Sequence, residues 1–120
     1  MTFLKVILPK HCHVLLLEDS ELRIEWFRKR IPNLKVVKTV QELRDYFDTH
    51  PTVDFLLLDH DLGEKENGVD AAKFIVERFG GISNWGLIHS WNRSGAQAMQ
   101  AAGFRVQHIP FGEFELEVEN

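Results

Sequence analysis

The segment VLLLEDS at positions 14–20 sets four consecutive aliphatic residues directly before two acidic residues. An apolar run of this length that ends abruptly in polar residues is typical of a short strand buried on both faces. The pattern recurs at Phe55–Leu58, which leads into Asp59. Ser20 is suited to cap a helix directly after the first run, so the sequence predicts a strand followed by a helix.

Outward from these two runs, predicted strands and helices alternate along the chain. Further short strands are predicted at 35–38, 85–88 and 104–108, and helical spacing of apolar residues fills the gaps between strands. This alternation predicts an α/β domain with a parallel sheet built from five β-α units with right-handed crossovers. Phe3–Leu8 predicts an additional edge strand, and the residues after Pro110 predict a short strand or an exposed acidic end.

The predicted helices carry recognisable signals at their first turns. In the first helix, Leu22 is predicted to begin an apolar stripe that faces the core. Thr39 with Glu42, and Ser94 with Gln97, have the spacing of capping boxes. These pairs predict where the second and fourth core helices begin.

The composition narrows the class of protein. The 120 residues, 44% of them hydrophobic, suit a single domain spanning positions 1–120. A net charge of −4 argues against broad DNA binding, which requires a basic face. The one cysteine, Cys12, rules out an internal disulfide and suits a reducing compartment. No apolar run approaches the length of a membrane span, so the sequence predicts a cytoplasmic protein without a membrane partner.

Acidic residues follow two of the predicted strands. Glu18 and Asp19 come after the first core strand, and Asp59 and Asp61 come after the third. The carboxyl ends of parallel strands meet at one edge of the sheet, where ligands of such folds bind. Clustered carboxylates repel one another unless a cation neutralises them, and Mg²⁺ prefers oxygen ligands. The sequence therefore predicts a magnesium site at this edge.

Histidines are predicted to reach the same edge. His60 lies between the two aspartates, His89 ends the fourth core strand beside Ser90, and His108 lies near the end of the fifth. Imidazole is suited to proton transfer near neutral pH, although each histidine has a hydrogen-bonded structural role as its alternative.

The loop after His89 offers groups that suit a phosphate. Asn92, Ser94 and Gly95 open a helix whose first N–H groups either bind an anion or are simply capped. Trp91, in the same loop, either stacks on a nucleobase or packs within the protein.

These features together resemble receiver domains of two-component signalling over nearly the whole chain. The matching segments are Val14–Ser20, Phe55–Asp59, Asn67-Gly68, Ser90 and Pro110-Phe111. The resemblance implies a flavodoxin-like, CheY-like fold with a five-stranded parallel sheet in the order 2-1-3-4-5 and helices on both faces.

The same resemblance implies roles for the acidic residues. Asp19 and Asp59 would hold Mg²⁺, Glu18 would support them, and Asp61 would offer its backbone carbonyl. Asp59 would also accept a phosphoryl group from a histidine kinase.

The chain departs from the receiver pattern in its last part. Ile109 stands where receivers have a lysine that pairs with a phosphoryl oxygen. The fifth helix, which forms much of the receiver's signalling surface, is absent or vestigial, because only ten residues follow Pro110. Ser90 matches the hydroxyl residue after the fourth strand, with His89 as the other residue for that place.

Other segments are similar to a family described as cyclic-phosphate processing receiver domains. The similarity lies in Asp59–Gly63 (DHDLG), His89–Asn92 (HSWN), Gly95 and Met99. It implies the processing of cyclic phosphates in small molecules, such as cyclic nucleotides, or at RNA ends.

Three functional hypotheses follow. In the first, the protein is a Mg²⁺-dependent enzyme that hydrolyses or transfers a cyclic phosphate, and His89 or His60 moves the proton. Asp59 either attacks phosphorus or only holds the metal. In the second, it is a divergent receiver that is phosphorylated on Asp59 and acts in signalling. In the third, it is a non-catalytic module that binds a nucleotide or a protein.

Overall fold

The computed structural model describes residues 4–80 and 85–120 of the chain. Its strands are β1 (Leu4–Leu8), β2 (Val14–Leu17), β3 (Lys35–Val37), β4 (Phe55–Leu58), β5 (Gly86–Ile88), β6 (Gln107–His108) and β7 (Phe114–Val118). Its helices are α1 (Glu21–Arg30), α2 (Val40–Thr49), α3 (Gly68–Phe79) and α4 (Arg93–Ala101). Within the described ranges, no helix combines the length and apolar character needed to cross a membrane.

The main sheet confirms the predicted architecture. Five parallel strands are hydrogen-bonded in the order β3-β2-β4-β5-β6, which is 2-1-3-4-5 when the count starts at β2. The central strands β2 and β4 are almost wholly buried because side chains pack on both of their faces. Their continuous apolar runs are therefore the expected sequence signature of central parallel strands.

Helices and a second small sheet cover the two faces of the main sheet. Helices α2, α3 and α4 pack on the face that carries Leu15 and Leu56. Helix α1 packs on the face that carries Leu16 and Leu57. Beside α1, this second face is closed by residues of β1 and β7, including Leu8, Phe114 and Leu116.

The predicted additional N-terminal strand forms over Leu4–Leu8, with Phe3 outside the described residues, and it belongs to a separate two-stranded sheet. Strand β1 pairs in parallel with β7, with Leu4 opposite Phe114 and Leu8 opposite Val118. The alternation of β7 sets which of its faces is buried, because Phe114 and Leu116 point into the core while its glutamates point outward. No helix follows Pro110 in the described chain, and this two-stranded sheet packs beside α1.

Two local predictions about helices need correction. Leu22 is 86% exposed, whereas Ile24, Phe27 and Ile31 face the core. Residues two positions apart lie on different sides of a helix, so the choice of Ile24 for the core turns Leu22 toward solvent. The predicted cap at Ser94 is also wrong: α4 begins at Arg93, and the side chain of Asn92 caps it.

The other caps follow the sequence more closely. The Thr39 hydroxyl accepts a hydrogen bond from the Glu42 N–H at 3.0 Å, as predicted. The Glu42 carboxylate returns to the N–H of Lys38 at 3.3 Å, one residue before the cap. A full capping box at Asn67 and Asp70, which was not predicted, begins α3.

Candidate carboxylate and histidine site

The register of three neighbouring strands brings distant residues together. Leu17 of β2 pairs with Leu58 of β4, which pairs with Ile88 of β5. The next residue of each strand is polar: Glu18, Asp59 and His89 respectively. The backbone ladder continues through them, because the N–H of Asp59 donates to Leu17 at 3.1 Å and that of His89 donates to Leu58 at 3.1 Å.

Glu18, Asp59 and His89 form a buried cluster at the carboxyl edge of the sheet. Their exposed fractions are 1%, 3% and 0%. One potential ligand atom from each lies within 4.8 Å of the others. His89 Nε2 lies 3.0 Å from Glu18 Oε1, and Glu18 Oε2 accepts hydrogen bonds from the N–H groups of Asp19 and Ser20 at 3.1 Å. These two backbone N–H groups, together with His89, hold the Glu18 carboxylate in position.

Burial separates the pKa values of the two carboxyl groups in the cluster. Burial opposes ionisation of Glu18, but the hydrogen bond with His89 and the N–H of Ser20 outweigh it and hold the Glu18 pKa below its usual value. Burial raises the pKa of Asp59 to about 6, and the Glu18 carboxylate adds to the rise against the attraction of His89. Glu18 is therefore the more acidic member of the pair.

The donor set of this cluster fits a divalent cation. Two carboxylates supply the oxygen ligands that Mg²⁺ prefers, and imidazole is a ligand suited to transition metals. His89 Nδ1 is buried without a hydrogen-bond partner in the described chain, which leaves one polar atom unsatisfied at the cluster. The His89 ring packs edge-on against Phe27, with ring centroids 5.2 Å apart.

A second polar group lies nearer to solvent at the same edge. His60 Nδ1 is 2.8 Å from Asp61 Oδ1, and the Asn92 side-chain amide donates to that oxygen at 3.3 Å. These hydrogen bonds outweigh partial burial and lower the pKa of Asp61, with the His60 bond the larger cause. The His60 ring packs so closely on Gly95 that a Cβ there would lie 2.5 Å from it, so this position requires glycine.

The remaining predicted residues surround these two groups. Asp19 is exposed and leans toward Gly63, outside the cluster formed by its neighbour Glu18. Ser90 is buried, and its hydroxyl oxygen accepts a hydrogen bond from the Asn92 N–H at 3.0 Å. His108 Nε2 lies 2.6 Å from the Ser90 carbonyl oxygen. The metal and catalytic roles of these residues stay predictions.

The start of α4 offers less to an anion than its sequence indicated. The N–H of Gly95 donates to the Asn92 side chain at 2.8 Å, so this amide is already satisfied. Gly95 is buried, and Ser94 is exposed on the first turn. The Asn92 side chain thus makes two hydrogen bonds: its oxygen accepts one from the first turn of α4, and its nitrogen donates one to Asp61.

The sequence reasoning missed Arg23. Its Nη1 atom lies 3.7 Å from Glu18 Oε1, and its guanidinium lies over the rings of Trp91 at 4.3 Å and Phe111 at 5.0 Å. The Ser20 cap could have indicated it. A helix that begins after Ser20 begins at the carboxyl edge of the sheet, so Arg23 in its first turn lies near the site. Ile109, which stands at the position of the receiver lysine, is buried in the core.

Solved structures share this fold at low sequence identity. The phosphorylated cyanobacterial phytochrome response regulator RcpA superposes with a TM-score of 0.67 at 16% identity, over 82% of this chain and 80% of that chain. The response regulator domain of Thermotoga maritima CheB gives 0.62 at 16% identity, over 90% and 81%. A LuxR-family response regulator from Aurantimonas sp. SI85-9A1 gives 0.61 at 23% identity, over 80% and 71%. These likenesses establish the receiver fold.

The family assignment comes from the sequence of the core. A search of curated proteins found no match. The family model of the cyclic-phosphate processing receiver domain matches residues 14–103, which include the buried cluster, the His60 group and all four helices. With three quarters of its length matched, the chain belongs to the family of cyclic-phosphate processing receiver domains.

Proposed function

We propose that this receiver domain is a metal-dependent enzyme that opens cyclic phosphate esters. The observation that carries the proposal is the convergence of Glu18, Asp59 and His89 in one buried cluster at the ligand-binding edge of the sheet. Carboxylates this close favour a bound cation, and a bound cation favours an anionic ligand such as a phosphate ester.

Glu18 and Asp59 would hold Mg²⁺, with His89 against Glu18 and the exposed Asp19 at the rim. A divalent cation bound there would stabilise the negative charge that develops on a phosphate oxygen. His89 is wholly buried, and its Nε2 atom is occupied by Glu18. We therefore assign His89 to holding the cluster and Asp59 to binding the metal.

His60 is the better placed histidine for proton transfer. Its Nδ1 atom faces Asp61, which orients the ring and leaves Nε2 as the proton acceptor. Nε2 forms no hydrogen bond to the residues that the structure describes. In hydrolysis, a water oxygen forms a bond to phosphorus, one ring P–O bond breaks, and the water proton passes through Nε2 to the departing alkoxide oxygen.

Phosphorus NMR tests this function directly. The purified protein is incubated with Mg²⁺ and a 2′,3′-cyclic nucleotide, a 3′,5′-cyclic nucleotide or acetyl phosphate. Opening of a cyclic ester that falls by at least about 1,000-fold in Asp59→Asn supports the proposal. Asp48→Asn is the matched control, because Asp48 is exposed on α2 away from the cluster. Turnover retained in Asp59→Asn would contradict the mechanism.

The receiver architecture favours one other function, phosphorylation of Asp59 in signalling. Asp59 directly follows the central strand β4, as the phosphoryl acceptor of receivers does. Against it, Ile109 is buried at the lysine position, and the element that follows Pro110 among the described residues is β7, whose sheet packs beside α1. A stable phosphoryl group on Asp59 after treatment with acetyl phosphate, without cyclic ester opening, would favour signalling and a histidine kinase partner. Tight nucleotide binding without either reaction would instead favour a binding module.

A further inference from the structure

An anionic ligand at the carboxyl edge of the sheet needs a positively charged side chain to bind it, because the edge is acidic. Arg23 is placed to supply that charge. A phosphate approaching the cluster is repelled by the negative charges of the buried Glu18 and the exposed Asp61, and the apolar Ile109 offers no compensating charge. Arg23 lies 3.7 Å from Glu18, and its charge also helps to lower the Asp61 pKa. It therefore lies between the buried cluster and the His60–Asp61 pair nearer to solvent.

The Arg23 guanidinium is held in place by aromatic rings. It lies over Trp91 and Phe111, and these two residues are themselves joined because Trp91 Nε1 donates to the Phe111 carbonyl at 2.7 Å. Phe111 in turn donates its N–H to the carbonyl of His89 at 2.8 Å. Trp91 from the loop after β5 and Phe111 from the segment after β6 thus hold the Arg23 guanidinium; we call these two rings the aromatic clamp.

The clamped guanidinium keeps its hydrogen-bond donors free. The Arg23 side chain is only 18% exposed, yet it donates no hydrogen bond to any residue in the described ranges. Two other partly buried arginines differ: Arg30 donates to the Trp26 carbonyl at 2.9 Å, and Arg44 donates to Glu66 at 2.9 Å. Arginine carries five N–H donors at the edge of a plane, and stacking on a ring leaves that edge available.

We propose that Arg23 binds the phosphate group of the ligand, with Trp91 and Phe111 as positioning residues that hold its guanidinium. The proposal rests on the proposed function only for the identity of the ligand as a phosphate ester. Arginine matches the oxygens of a phosphate with two parallel hydrogen bonds, so it supplies the charge that the lysine position lacks. Because Glu18 and Asp61 face Arg23, phosphate binding requires Mg²⁺ to neutralise the carboxylates.

Titration calorimetry with inorganic phosphate in the presence of Mg²⁺ tests this assignment on the full chain. Arg23→Gln should raise the Kd for phosphate by roughly 10- to 100-fold, the loss expected for charge-assisted hydrogen bonds. Arg28→Gln is the control, because Arg28 is an exposed arginine on the same helix, and its Kd should not change. Omission of Mg²⁺ should weaken binding in the wild-type protein.

Trp91 tests the clamp separately from the charge. Trp91→Ala should raise the Kd for phosphate by about 2- to 5-fold, and Trp91→Phe should restore most of the affinity, because a cation–π contact has that strength. If circular dichroism shows that Arg23→Gln does not fold, Arg23→Lys tests the assignment instead. Lysine keeps the positive charge but lacks the planar guanidinium, so this variant should still bind phosphate more weakly than the wild-type protein.

Wild-type phosphate affinity in both Arg23→Gln and Arg23→Lys would overturn the assignment. Its failure is distinguishable from failure of the proposed function. If Asp59→Asn abolishes ester opening while the Arg23 variants bind phosphate normally, the enzyme stands and Arg23 does not bind the ligand. If no cyclic ester is opened but phosphate binding depends on Arg23, the assignment stands and the enzymatic proposal fails.

Discussion

Asp59 and Asp61 are two residues apart, yet the structure places them in opposite electrostatic environments. Asp59 is buried beside Glu18, and its pKa is raised to about 6. Asp61 is exposed, and hydrogen bonds from His60 and Asn92 lower its pKa. The strand directs Asp59 into the core while the loop carries Asp61 toward water. The comparison shows that burial, rather than acidic sequence, distinguishes the carboxylate that we propose as a metal ligand from the carboxylate that contacts His60.

The largest expected difference between the two aspartates is in catalysis. Asp59→Asn should lower the rate of cyclic ester opening by at least about 1,000-fold, because it removes a ligand of the proposed metal site. Asp61→Asn should lower it by about 10- to 100-fold, because it removes only the group that orients His60. Steady-state kinetics followed by phosphorus NMR measures both. Equal losses in the two variants would break the division of roles.

The next effect compares the two histidines in stability. His89→Ala should lower the free energy of unfolding by about 3–5 kcal/mol, because it removes the imidazole that contacts Glu18 Oε1 in a fully buried site. His60→Ala should cost less, since Asp61 stays in contact with water. Urea denaturation at neutral pH measures both values. A smaller loss for His89→Ala than for His60→Ala would show that the buried cluster does not stabilise the fold.

The pH dependence of stability should differ in sign at the two aspartates. Without metal, Asp59 binds a proton more tightly in the folded protein than in the unfolded chain, whose aspartates titrate near about 3.9. Its contribution is fully present below pH ~3.9 and is lost as the pH rises to about 6. Asp59→Asn should therefore be stabilised relative to wild type by about 1–3 kcal/mol at pH 7.5, and not at pH 4.

For Asp61, the same measurement should show the opposite dependence of stability on pH. Its lowered pKa contributes stability above the unfolded pKa, and that stability is lost as the pH falls through the folded pKa. Asp61→Asn should be slightly destabilised at pH 7.5, with the difference shrinking in acid. Thermal unfolding in EDTA across this pH range gives both curves, and parallel curves for the two variants would refute the contrast in burial.

The smallest expected effect is stabilisation by the metal itself. At a Mg²⁺ concentration five times the Kd, the wild-type free energy of unfolding should rise by about 1 kcal/mol relative to EDTA. Asp59→Asn should lose this increase, whereas Asp61→Asn should keep it. Differential scanning fluorimetry detects it as a rise in Tm. The same rise in Asp59→Asn would place the cation away from the buried cluster.

The sequence was sufficient to predict features that depend only on residues close to one another along the chain. Buried parallel strands must be apolar throughout, so Val14–Leu17 and Phe55–Leu58 could be identified, and their polar continuations located the site. The pairing of β1 with β7 joins the two ends of the described chain, and no local pattern encodes such a partner. Likewise Asn92 and Ser94 are both residue types that cap helices well, so the sequence alone does not decide that Asn92 is the cap of α4.

The members of the site were predicted better than their grouping. The edge of the sheet follows from topology, but which histidine reaches Glu18 depends on strand register. Arg23 was missed because a single arginine in a helix has an ordinary solvent-exposed alternative. Its significance comes from the rings of Trp91 and Phe111, which are far from it in sequence.

The pairing of β1 with β7 has a consequence for biosynthesis. Leu4 meets Phe114 about 110 positions later, so β1 must wait for almost the whole described chain to leave the ribosome before it finds its partner. Until then, Phe27 and the sheet face under α1 lack part of their cover. Contacts between such distant positions form slowly. The nascent domain therefore completes its core last on the face opposite α2, α3 and α4.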